Sequence, residues 1–598
     1  MAALHLKKKL RVIIIGAGLV RSLVVRGIAT NQGTAHHIQK YLRDRAEFWI
    51  FEKNEDVGGT WFENRYPGCA CDVPSHIYQF SFCPNPCWSS FYASSSEIKS
   101  YLKAVTSHYD LNGNISFKSI VNKASWNEGN STWTVSVENQ GDFECDILIN
   151  GGGILNNIQY PKIKGLETFK GCLLHTAAWD ENVDLQGKRV AIIGAGASAI
   201  QTLPVIQKAA KHVDIYIRTP SWIAPPAGEN FNAEKNHIYT SEEKKRFRDD
   251  PAYSAATRKE MEIGFNKIFK AFVKGSKEQL EFRTLLETGM KARLPDRRMQ
   301  EKLIPKFEAG CRRISPGYPY LEALQQHNVE ALFDPIDEVT GTGIVAGEQH
   351  REVDVVIAAT GFDTSFRPRF PISGRGDVDL QKLWDSDPAG YFGLAVSGFP
   401  NYLMFLGPNT PISNGSLMGT LEATADYFIR LMTKFIDERA LQFNVRAEVQ
   451  RDFNQHTQSV MKNLVWTGAC RAWYKNEDGK VTALWPGSSL HYREVLASNR
   501  WEDFEWRYEG NRFTYWGHGI SKVEVEEKGD LAYYIRESTP LPLEAYYSSP
   551  KGPSPSRRTG DAFLPASRRR NDGDIEQDAE EFLSDDSCGS TVVVVAPA

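Results

Sequence analysis

The sequence predicts an α/β fold made of two Rossmann-like dinucleotide-binding domains, with the second domain inserted in the first and a helical subdomain attached. Three strand-like apolar runs end in glycine-rich turns: RVIIIGAG from Arg11, RVAIIGAG from Arg189 and VDVVIAATGFD from Val353. Such runs are typical of parallel strands that are buried on both faces. After the third run the chain returns with FLGPNTPISNGS from Phe405 and an amphipathic helix over about 419–437. This return indicates that the first domain is completed after the second.

The length and charge of the chain narrow the classes of partner. A chain of 598 residues exceeds the size at which one core keeps growing, so we expect several domain-sized units. Its 70 basic and 74 acidic residues give no electrostatic reason to bind nucleic acid or an anionic membrane, which favours a small-molecule substrate. The apolar runs 12–15 and 592–595 are too short to span a bilayer. We therefore expect a cytoplasmic protein without a membrane partner.

The nine cysteines do not suggest a disulfide framework in so long a chain, and their odd number fits a reducing cytosol. Two close pairs, Cys69 with Cys71 and Cys83 with Cys87, raise the alternative of a zinc site. Their CxC and CPNPC spacings differ from the usual CxxC spacing, and no histidine pair follows. We therefore predict that these cysteines lie in loops and that the chain has no metal site.

The predicted organisation has four parts. They are 1–165, the first part of the first domain with an atypical insertion at 21–33; 166–355, the second domain with a helical insertion over about 241–326; 356–537, the second part of the first domain with the substrate pocket; and 538–598, a tail. The tail is rich in Pro, Ser, Arg and Asp and cannot bury enough apolar surface to offset its chain entropy, so we predict that it is disordered. Its RRR cluster at 568–570 could act as a nuclear signal, but a solvated tail is favoured.

The second glycine turn matches the dinucleotide-binding pattern. Gly194, Gly196 and Ala199 give GxGxxA directly after a predicted strand and at the start of a predicted helix, the context that makes this motif specific. The glycines let backbone amides approach a pyrophosphate, and the helix N-terminus adds partial positive charge. The predicted contacts here are Gly194, Ala195, Gly196, Ala197, Ser198, Ala199, Ile200, Gln201, Arg218 and Thr219.

The residue at the end of the following strand predicts which cofactor binds. Arg218 stands where an NAD site has an acidic residue for the ribose 2′-hydroxyl, and a cation there favours the 2′-phosphate of NADPH. The alternative is an ordinary surface arginine at a strand end. We predict NADPH.

The first glycine turn is irregular. Gly16 and Gly18 are present, but Arg21 stands where a third small residue is expected, and its long side chain would obstruct helix–strand packing. Gly16 and Glu52 are 36 positions apart, whereas Gly194 and Arg218 are 24 apart, so about a dozen residues are surplus in the segment 21–33. A retained intron in the gene sequence is one interpretation and is favoured; a genuine insertion is the other. The following AHHIQKYLRDR is predicted to be the helix of this unit.

Two further motifs carry a resemblance to a known family. Residues 169–180 read FKGCLLHTAAWD, which places Phe169, Gly171, His175, Trp179 and Asp180 at the spacing FxGxxxHxxxWD. This string resembles the fingerprint of the Baeyer–Villiger monooxygenases. The stretch FEKNEDVGGTWFENRYPGCACDVPSHIYQFSF is similar to their flavin-binding region, especially in fungal members of secondary metabolism. The resemblance covers about 11–515 apart from the segment 21–33.

The resemblance implies an FAD site beside the NADPH site. From the residues alone, Glu52 ends a strand and can accept ribose hydroxyls, and the glycines at 58 and 59 allow a close backbone approach. By resemblance, Ala70 to Asp72 lie where the nicotinamide half of NADPH meets the flavin. The residues predicted to contact cofactor in this region are Gly16, Gly18, Glu52, Gly59, Thr60, Trp61, Phe62, Glu63, Ala70, Cys71, Asp72, Val73 and Tyr78.

The same resemblance implies the catalytic residues. The reaction must keep a flavin C4a-peroxide anionic and stabilise its adduct with a ketone, and an arginine beside the flavin does both because it stays protonated. In GCRRIS from Gly310, Arg313 matches the family's catalytic arginine and Arg312 the cation that contacts the NADP phosphate. Asp72 is the expected acidic partner of Arg313. His175 and Trp179 are expected to couple domain motion to cofactor binding.

The resemblance thus implies NADPH- and O2-dependent oxidation of a ketone, an aryl or polycyclic intermediate of polyketide type, to an ester or lactone. The motifs ATGFD from Ala359, GPNTPISNGS from Gly407 and TGACRAWYKN from Thr467 resemble the family's flavin and pocket segments, and Trp473 is expected to cover the pocket. One alternative keeps the cofactors but oxygenates nitrogen or sulfur. Another, motivated by the irregular first turn, is a catalytically impaired cofactor-binding protein.

Overall fold

The computed structural model describes residues 9–19, 42, 45–225, 236–517, 519–525 and 529–535. The strands of these residues are β1 (Leu10–Ile15), β2 (Ala46–Phe51), β3 (Ile115–Ser116), β4 (Val121–Asn127), β5 (Thr132–Val137), β6 (Gly141–Cys145), β7 (Ile147–Asn150), β8 (Cys172–His175), β9 (Arg189–Ile193), β10 (His212–Tyr216), β11 (Ile223–Ala224), β12 (Ser315–Pro316), β13 (Val329–Leu332), β14 (Ile336–Val339), β15 (Gly343–Ala346), β16 (Gln349–Glu352), β17 (Val355–Ala358), β18 (Ile372–Ser373), β19 (Tyr402–Met404), β20 (Ala440–Val445) and β21 (Phe504–Tyr508).

The α-helices of the described residues are α1 (Thr60–Glu63), α2 (Ser95–His108), α3 (Ala197–Ile206), α4 (Ser241–Asp249), α5 (Pro251–Lys267), α6 (Lys277–Arg293), α7 (Arg297–Leu303), α8 (Tyr318–Ala323), α9 (Leu380–Leu383), α10 (Leu417–Asp437), α11 (Ala447–Met461), α12 (Ser489–Val495) and α13 (Lys522–Val525). None of these described helices is long and apolar enough to cross a bilayer.

The first sheet is parallel and has the order β19-β7-β1-β2-β3. Its central strand β1 is almost entirely buried, and Val12 pairs with Phe48 on one side and Ile147 on the other. The apolar run from Arg11 is therefore a buried parallel strand, as predicted. Strand β19 follows all strands of the second sheet in the sequence, so the chain returns to complete the first domain after the second.

The second sheet is also parallel and has the order β13-β10-β9-β17-β8. The predicted runs from Arg189 and Val353 are its neighbouring strands β9 and β17, in which Val190 pairs with Val355. The predicted fold class, two Rossmann-like units with the second inserted in the first, is confirmed. Because β17 belongs to the second sheet, this unit extends to at least Ala358, three residues beyond the expected boundary at 355.

Two smaller sheets cover the parallel ones. The sheet β18-β4-β5-β6 packs on the first sheet, where Trp133 and Val135 share a buried cluster with Ile13 and Leu148. The antiparallel sheet β14-β15-β16 contributes Ile344 to a cluster with the second sheet. The sequence analysis did not predict either sheet. Each small sheet thus packs its apolar side chains against one of the two parallel sheets.

The helical insertion comprises α4 to α8. Helix α4 begins with a capping box, since the Thr240 hydroxyl accepts from the Glu243 amide and the Glu243 carboxylate accepts from the Thr240 amide at 2.7 Å. The predicted long helix over 419–437 is α10, which begins two residues earlier because Ser416 caps its N-terminus. Helix α10 buries one broad apolar face, as its amphipathic sequence predicts.

One disulfide departs from the expectation of reduced cysteines. Cys311 and Cys470 are bonded, with their Cα atoms 6.1 Å apart, and they are 159 positions apart in the sequence. Sequence spacing could not indicate this pair, because the fold alone brings the two segments together. The cysteines that the structure describes as free are Cys69, Cys71, Cys83, Cys87, Cys145 and Cys172. The first four lie in loops, as predicted.

Some predictions fall on parts of the chain outside the described residues. These are the segment 21–33, the helix expected after it except for residues 42 and 45, and the tail 538–598. The described residues among 516–535 belong to a second compact unit, which includes α13.

Candidate active site

One large cavity lies where the glycine turns of both parallel sheets open. Its volume is about 1470 Å³, larger than the ~300–1,000 Å³ of a pocket for one small ligand, so it has room for more than one. The predicted site residues that line it are Gly16, Gly18, Glu52, Gly59, Thr60, Trp61, Glu63, Cys71, Asp72, Val73, Tyr78, Gly194, Ala195, Gly196, Ala197, Ser198, Arg218, Thr219, Arg312 and Arg313. Folding thus gathers residues from positions 16 to 313 around one space.

Other predicted site residues do not line this cavity: Phe62, Ala70, His175, Trp179, Ala199, Ile200 and Gln201. Ala199 and Ile200 are buried because they lie on the face of α3 that packs into the core. The Lys99 ammonium lies over the Phe62 ring, 4.6 Å from the ring centroid. The cofactor contacts predicted for these three residues stay predictions.

The turn after β9 fits a dinucleotide pyrophosphate. Gly194 has a φ of +125°, and a Cβ atom there would lie 2.4 Å from the Ala359 carbonyl oxygen, so only glycine is accommodated. Helix α3 begins at Ala197 without a side-chain cap, which leaves the amides of its first turn available to an anion. Gly196, Ala197 and Ser198 line the cavity at this point.

The turn after β1 is closed by a carboxylate. Gly16 has a φ of +96°, and a Cβ atom there would lie 2.8 Å from the Gly151 carbonyl oxygen. The buried Glu52 accepts hydrogen bonds from the amides of Ala17 at 2.6 Å and Asn54 at 2.9 Å. Each carboxylate oxygen can accept a second hydrogen bond, so Glu52 can hold the turn and still accept a ribose hydroxyl from the cavity.

Arg313 and Asp72 form a bidentate ion pair at the cavity wall. The Arg313 Nε donates to Asp72 Oδ2 at 2.7 Å, and its Nη2 donates to Oδ1 at 2.6 Å. Burial alone would lower the pKa of Arg313, but the charge and hydrogen bonds of Asp72 outweigh it and raise that pKa above its ordinary value. Arg313 is therefore a permanent cation held in one orientation.

A hydrogen-bonded link holds the Asp72 loop against α3. The Tyr66 hydroxyl donates to Gln201 Oε1 at 2.8 Å, and Gln201 Nε2 donates to the Ala70 carbonyl at 2.9 Å. A Cβ atom on Gly68 would lie 2.4 Å from the Gln201 carbonyl oxygen, so the loop and the helix touch directly. Gln201 thus holds the loop that carries Ala70 and Asp72 against α3, and the cofactor contacts of Gln201 and Ala70 stay predictions.

The two fingerprint side chains lie inside the protein. His175 is fully buried at the end of β8, where its Nδ1 accepts from the Ala177 amide at 3.1 Å and its ring meets that of Tyr160 edge-on. Burial lowers the pKa of His175 to about 4, so the ring is neutral near pH 7. Trp179 is also buried. Their positions favour a structural role between the two units over proton transfer.

Two arginines face the cavity at the end of the second sheet. Arg218 follows β10, and Arg312 Nη1 donates to the carbonyl oxygens of Thr219 and Pro220 at 3.1 and 3.2 Å. Burial lowers the pKa of both guanidinium groups, and the charge of Arg218 adds to the effect on Arg312. Neither is paired with a carboxylate of the described residues. Two cations without a counter-charge among the described residues favour the binding of an anion here.

We expect that Arg218→Ala weakens NADPH binding by about ten- to a hundredfold and changes NADH binding little, because a hydrogen bond to a charged group contributes about 1.5–3 kcal/mol. Steady-state KM values for the two cofactors measure the effect. Equal losses for NADPH and NADH would remove Arg218 from the 2′-phosphate site.

Comparisons with known proteins agree with this geometry. A family model described as "Flavin-binding monooxygenase-like" matches residues 9–234. The FAD-binding monooxygenase moxY of Dothistroma septosporum is 42% identical over 512 residues, which cover 83% of this chain and 80% of that protein. The Baeyer-Villiger monooxygenase of Pseudomonas aeruginosa is 34% identical and is matched over 76% of this chain and 86% of its own length.

Solved structures show the same fold. The cyclohexanone monooxygenase from Rhodococcus sp. Phi1 bound to NADP+ superposes with a TM-score of 0.72 at 26% identity, over 84% of this chain and 100% of that chain. The oxidized steroid monooxygenase bound to NADP gives a TM-score of 0.69 at 25% identity, also over 84% of this chain and 100% of its own.

Proposed function

Because this chain belongs to the family of flavin-binding monooxygenases of Baeyer–Villiger type, which use FAD and NADPH, we propose that it oxidises an aryl or polycyclic ketone to an ester or lactone. The observation that carries the proposal is the Arg313–Asp72 pair at the wall of a cavity that both glycine turns reach. A fixed cation at that place suits a reaction in which negative charge develops on oxygen.

The residues of this chain divide the work of the reaction. Bound FAD would supply the redox chemistry of the reaction, namely hydride acceptance from NADPH and activation of O2. Arg313 stabilises the negative charge on the reacting oxygen, and it needs no proton transfer to do so because it is cationic at every working pH. Asp72 fixes the direction of the guanidinium. The amides at the start of α3, with Arg218 and Arg312, bind the phosphates of NADPH.

The lining of the cavity supports a large apolar substrate. It includes aliphatic and aromatic side chains that follow the return of the chain to the first sheet: Phe405, Leu406, Ile412, Leu417, Leu421, Trp473 and Leu484. Such walls favour flat or fused rings, because apolar area removed from water contributes about 25 cal/mol per Å². Arg313, the cation of the ion pair, lines the same cavity and can interact with the carbonyl group of the ketone.

A product test separates this proposal from oxygenation at nitrogen or sulfur. We expect purified protein with NADPH and O2 to convert an aryl or polycyclic ketone to an ester, with one NADPH oxidised for each ester formed. The control is a thioether of similar size, measured by the same chromatography. Efficient sulfoxide formation without any ester would contradict the proposal and favour the N- or S-oxygenating alternative.

A second test addresses the catalytically impaired alternative. We expect a variant that lacks residues 21–33, with a small residue at the third position of the glycine motif, to bind more FAD than the full chain, because that position of the motif takes a small residue and Arg21 is long and charged. Bound flavin absorbance per mole of protein measures it. If both forms are colourless, neither binds FAD, and this result would favour the catalytically impaired alternative over an active monooxygenase.

A further inference from the structure

A third arginine lies at the NADPH end of the cavity, on a segment distant in sequence from the other two. Arg471 lines the cavity together with Arg218 and Arg312. It follows Cys470, whose disulfide to Cys311 places the residue before Arg471 against the residue before Arg312. The disulfide therefore brings together the backbone segments that carry Arg471 and Arg312, although the two residues are 159 positions apart in the sequence.

The segment that carries Arg471 is fixed on both sides of that residue. Cys470 is buried in its disulfide, and the buried Tyr474 lies close enough to Arg313 for the guanidinium charge to affect its pKa. Lys475 Nζ donates to the Gly468 carbonyl at 2.7 Å and closes the loop. Arg471 itself is exposed toward the cavity. An exposed cation on a fixed backbone is suited to recognise a ligand at little cost in ordering.

The charges of the three arginines act on one another. The charge of Arg471 adds to burial in lowering the pKa of Arg218, and the charge of Arg218 lowers the pKa of Arg312. Within the described part of the chain none of the three forms an ion pair with a carboxylate. Like charges held together without a counter-ion repel, and a dianionic phosphate removes that repulsion. An arginine fork matches phosphate oxygens better than a lysine does.

We propose that Arg471 is a third ligand of the 2′-phosphate of NADPH and helps to select NADPH over NADH, an inference that rests on the proposed function. The 2′-phosphate is the only group that distinguishes the two cofactors, and it carries the double negative charge that three guanidinium groups can share. The ordinary alternative is a solvated arginine at the mouth of the cavity, which would affect neither cofactor.

Calorimetric titration of the full chain with NADP+, NAD+ and 2′,5′-ADP tests the proposal without catalysis. We expect Arg471→Ala to weaken NADP+ and 2′,5′-ADP by about tenfold and NAD+ by less than about twofold, the loss of one charge-assisted hydrogen bond. Arg471→Lys keeps the charge but not the fork, so its loss is expected to be smaller. Arg451→Ala, at an exposed position of α11 that does not line the cavity, is the matched control for one lost charge.

Each result decides the proposal. It is overturned if Arg471→Ala binds 2′,5′-ADP as tightly as the unchanged protein, or if NADP+ and NAD+ weaken equally. It is also overturned if Arg451→Ala gives the same loss, because the effect would then follow net charge alone. Circular dichroism of each variant excludes misfolding as the cause. Failure of the ketone reaction with normal 2′,5′-ADP binding would contradict the proposed function and leave this inference standing.

Discussion

Arg313→Ala is expected to reduce ester formation by about 10³-fold, the order of loss seen when one donor to a developing oxyanion is removed. The guanidinium is the cation that the Asp72 carboxylate holds at the cavity wall, and alanine supplies neither charge nor a donor there. Binding of 2′,5′-ADP should change little, because Arg218 and Arg312 are untouched. Ester formation under single-turnover conditions, measured beside the rate of NADPH oxidation, gives the effect.

Arg313→Lys is the matched control for this prediction. Lysine keeps the positive charge but lacks the planar fork that pairs with both Asp72 oxygens, so its activity should fall between those of the unchanged protein and Arg313→Ala. Ester formation by Arg313→Ala above about a tenth of the original rate would contradict the catalytic role, since the central electrostatic contribution would then come from elsewhere.

Asp72→Asn is expected to lower both activity and stability. Asparagine has nearly the same shape, but it removes the counter-charge and leaves the Arg313 guanidinium unpaired at the cavity wall. The stability loss should be about 2 kcal/mol, below the ~3–5 kcal/mol of a fully buried pair, because 33% of the Arg313 side chain is exposed. Ester formation should fall by about ten- to a hundredfold because the guanidinium loses its fixed direction. Denaturant unfolding and the ester assay measure the two effects.

The double variant Asp72→Asn with Arg313→Met separates the charge effect from simple packing loss. Once no unpaired cation is left, most of the stability lost in Asp72→Asn should return, while ester formation falls to the level of Arg313→Ala. A double variant that is less stable than Asp72→Asn would show that the ion pair does not act as one unit, and the positioning role of Asp72 would have to be abandoned.

The sequence predicted the parallel architecture because its signals are local. Residues that are close in the sequence are enough to recognise the apolar runs from Arg11 and Arg189 and the GxGxxA turn. The resemblance also predicted the Asp72 contact of Arg313, although the two residues are 241 positions apart. Prediction was weaker within motifs, since a motif does not say which side chain faces the ligand. Thus Ala199 and Ile200 pack into the core instead of lining the cavity.

Features that depend on contacts between distant segments could not be predicted from the sequence. The Cys311–Cys470 bond and the place of Arg471 at the cavity depend on two segments that are far apart in the sequence, and no spacing rule joins them. Sheet β18-β4-β5-β6 was missed as well, although the alternation in TWTVSV over β5 is typical of a half-buried strand and could have indicated it.

The central claim is that this chain inserts oxygen from O2 beside a ketone carbonyl. The most direct measurement is the mass spectrum of the product formed from an aryl or polycyclic ketone, NADPH and ¹⁸O₂ by the flavin-containing protein. The account predicts an ester or lactone that contains one ¹⁸O atom per molecule, formed with an equal amount of NADP+, and formed about 10³-fold more slowly by Arg313→Ala. Ester without label, or NADPH oxidation that yields no oxygenated ketone product across such substrates, would contradict it.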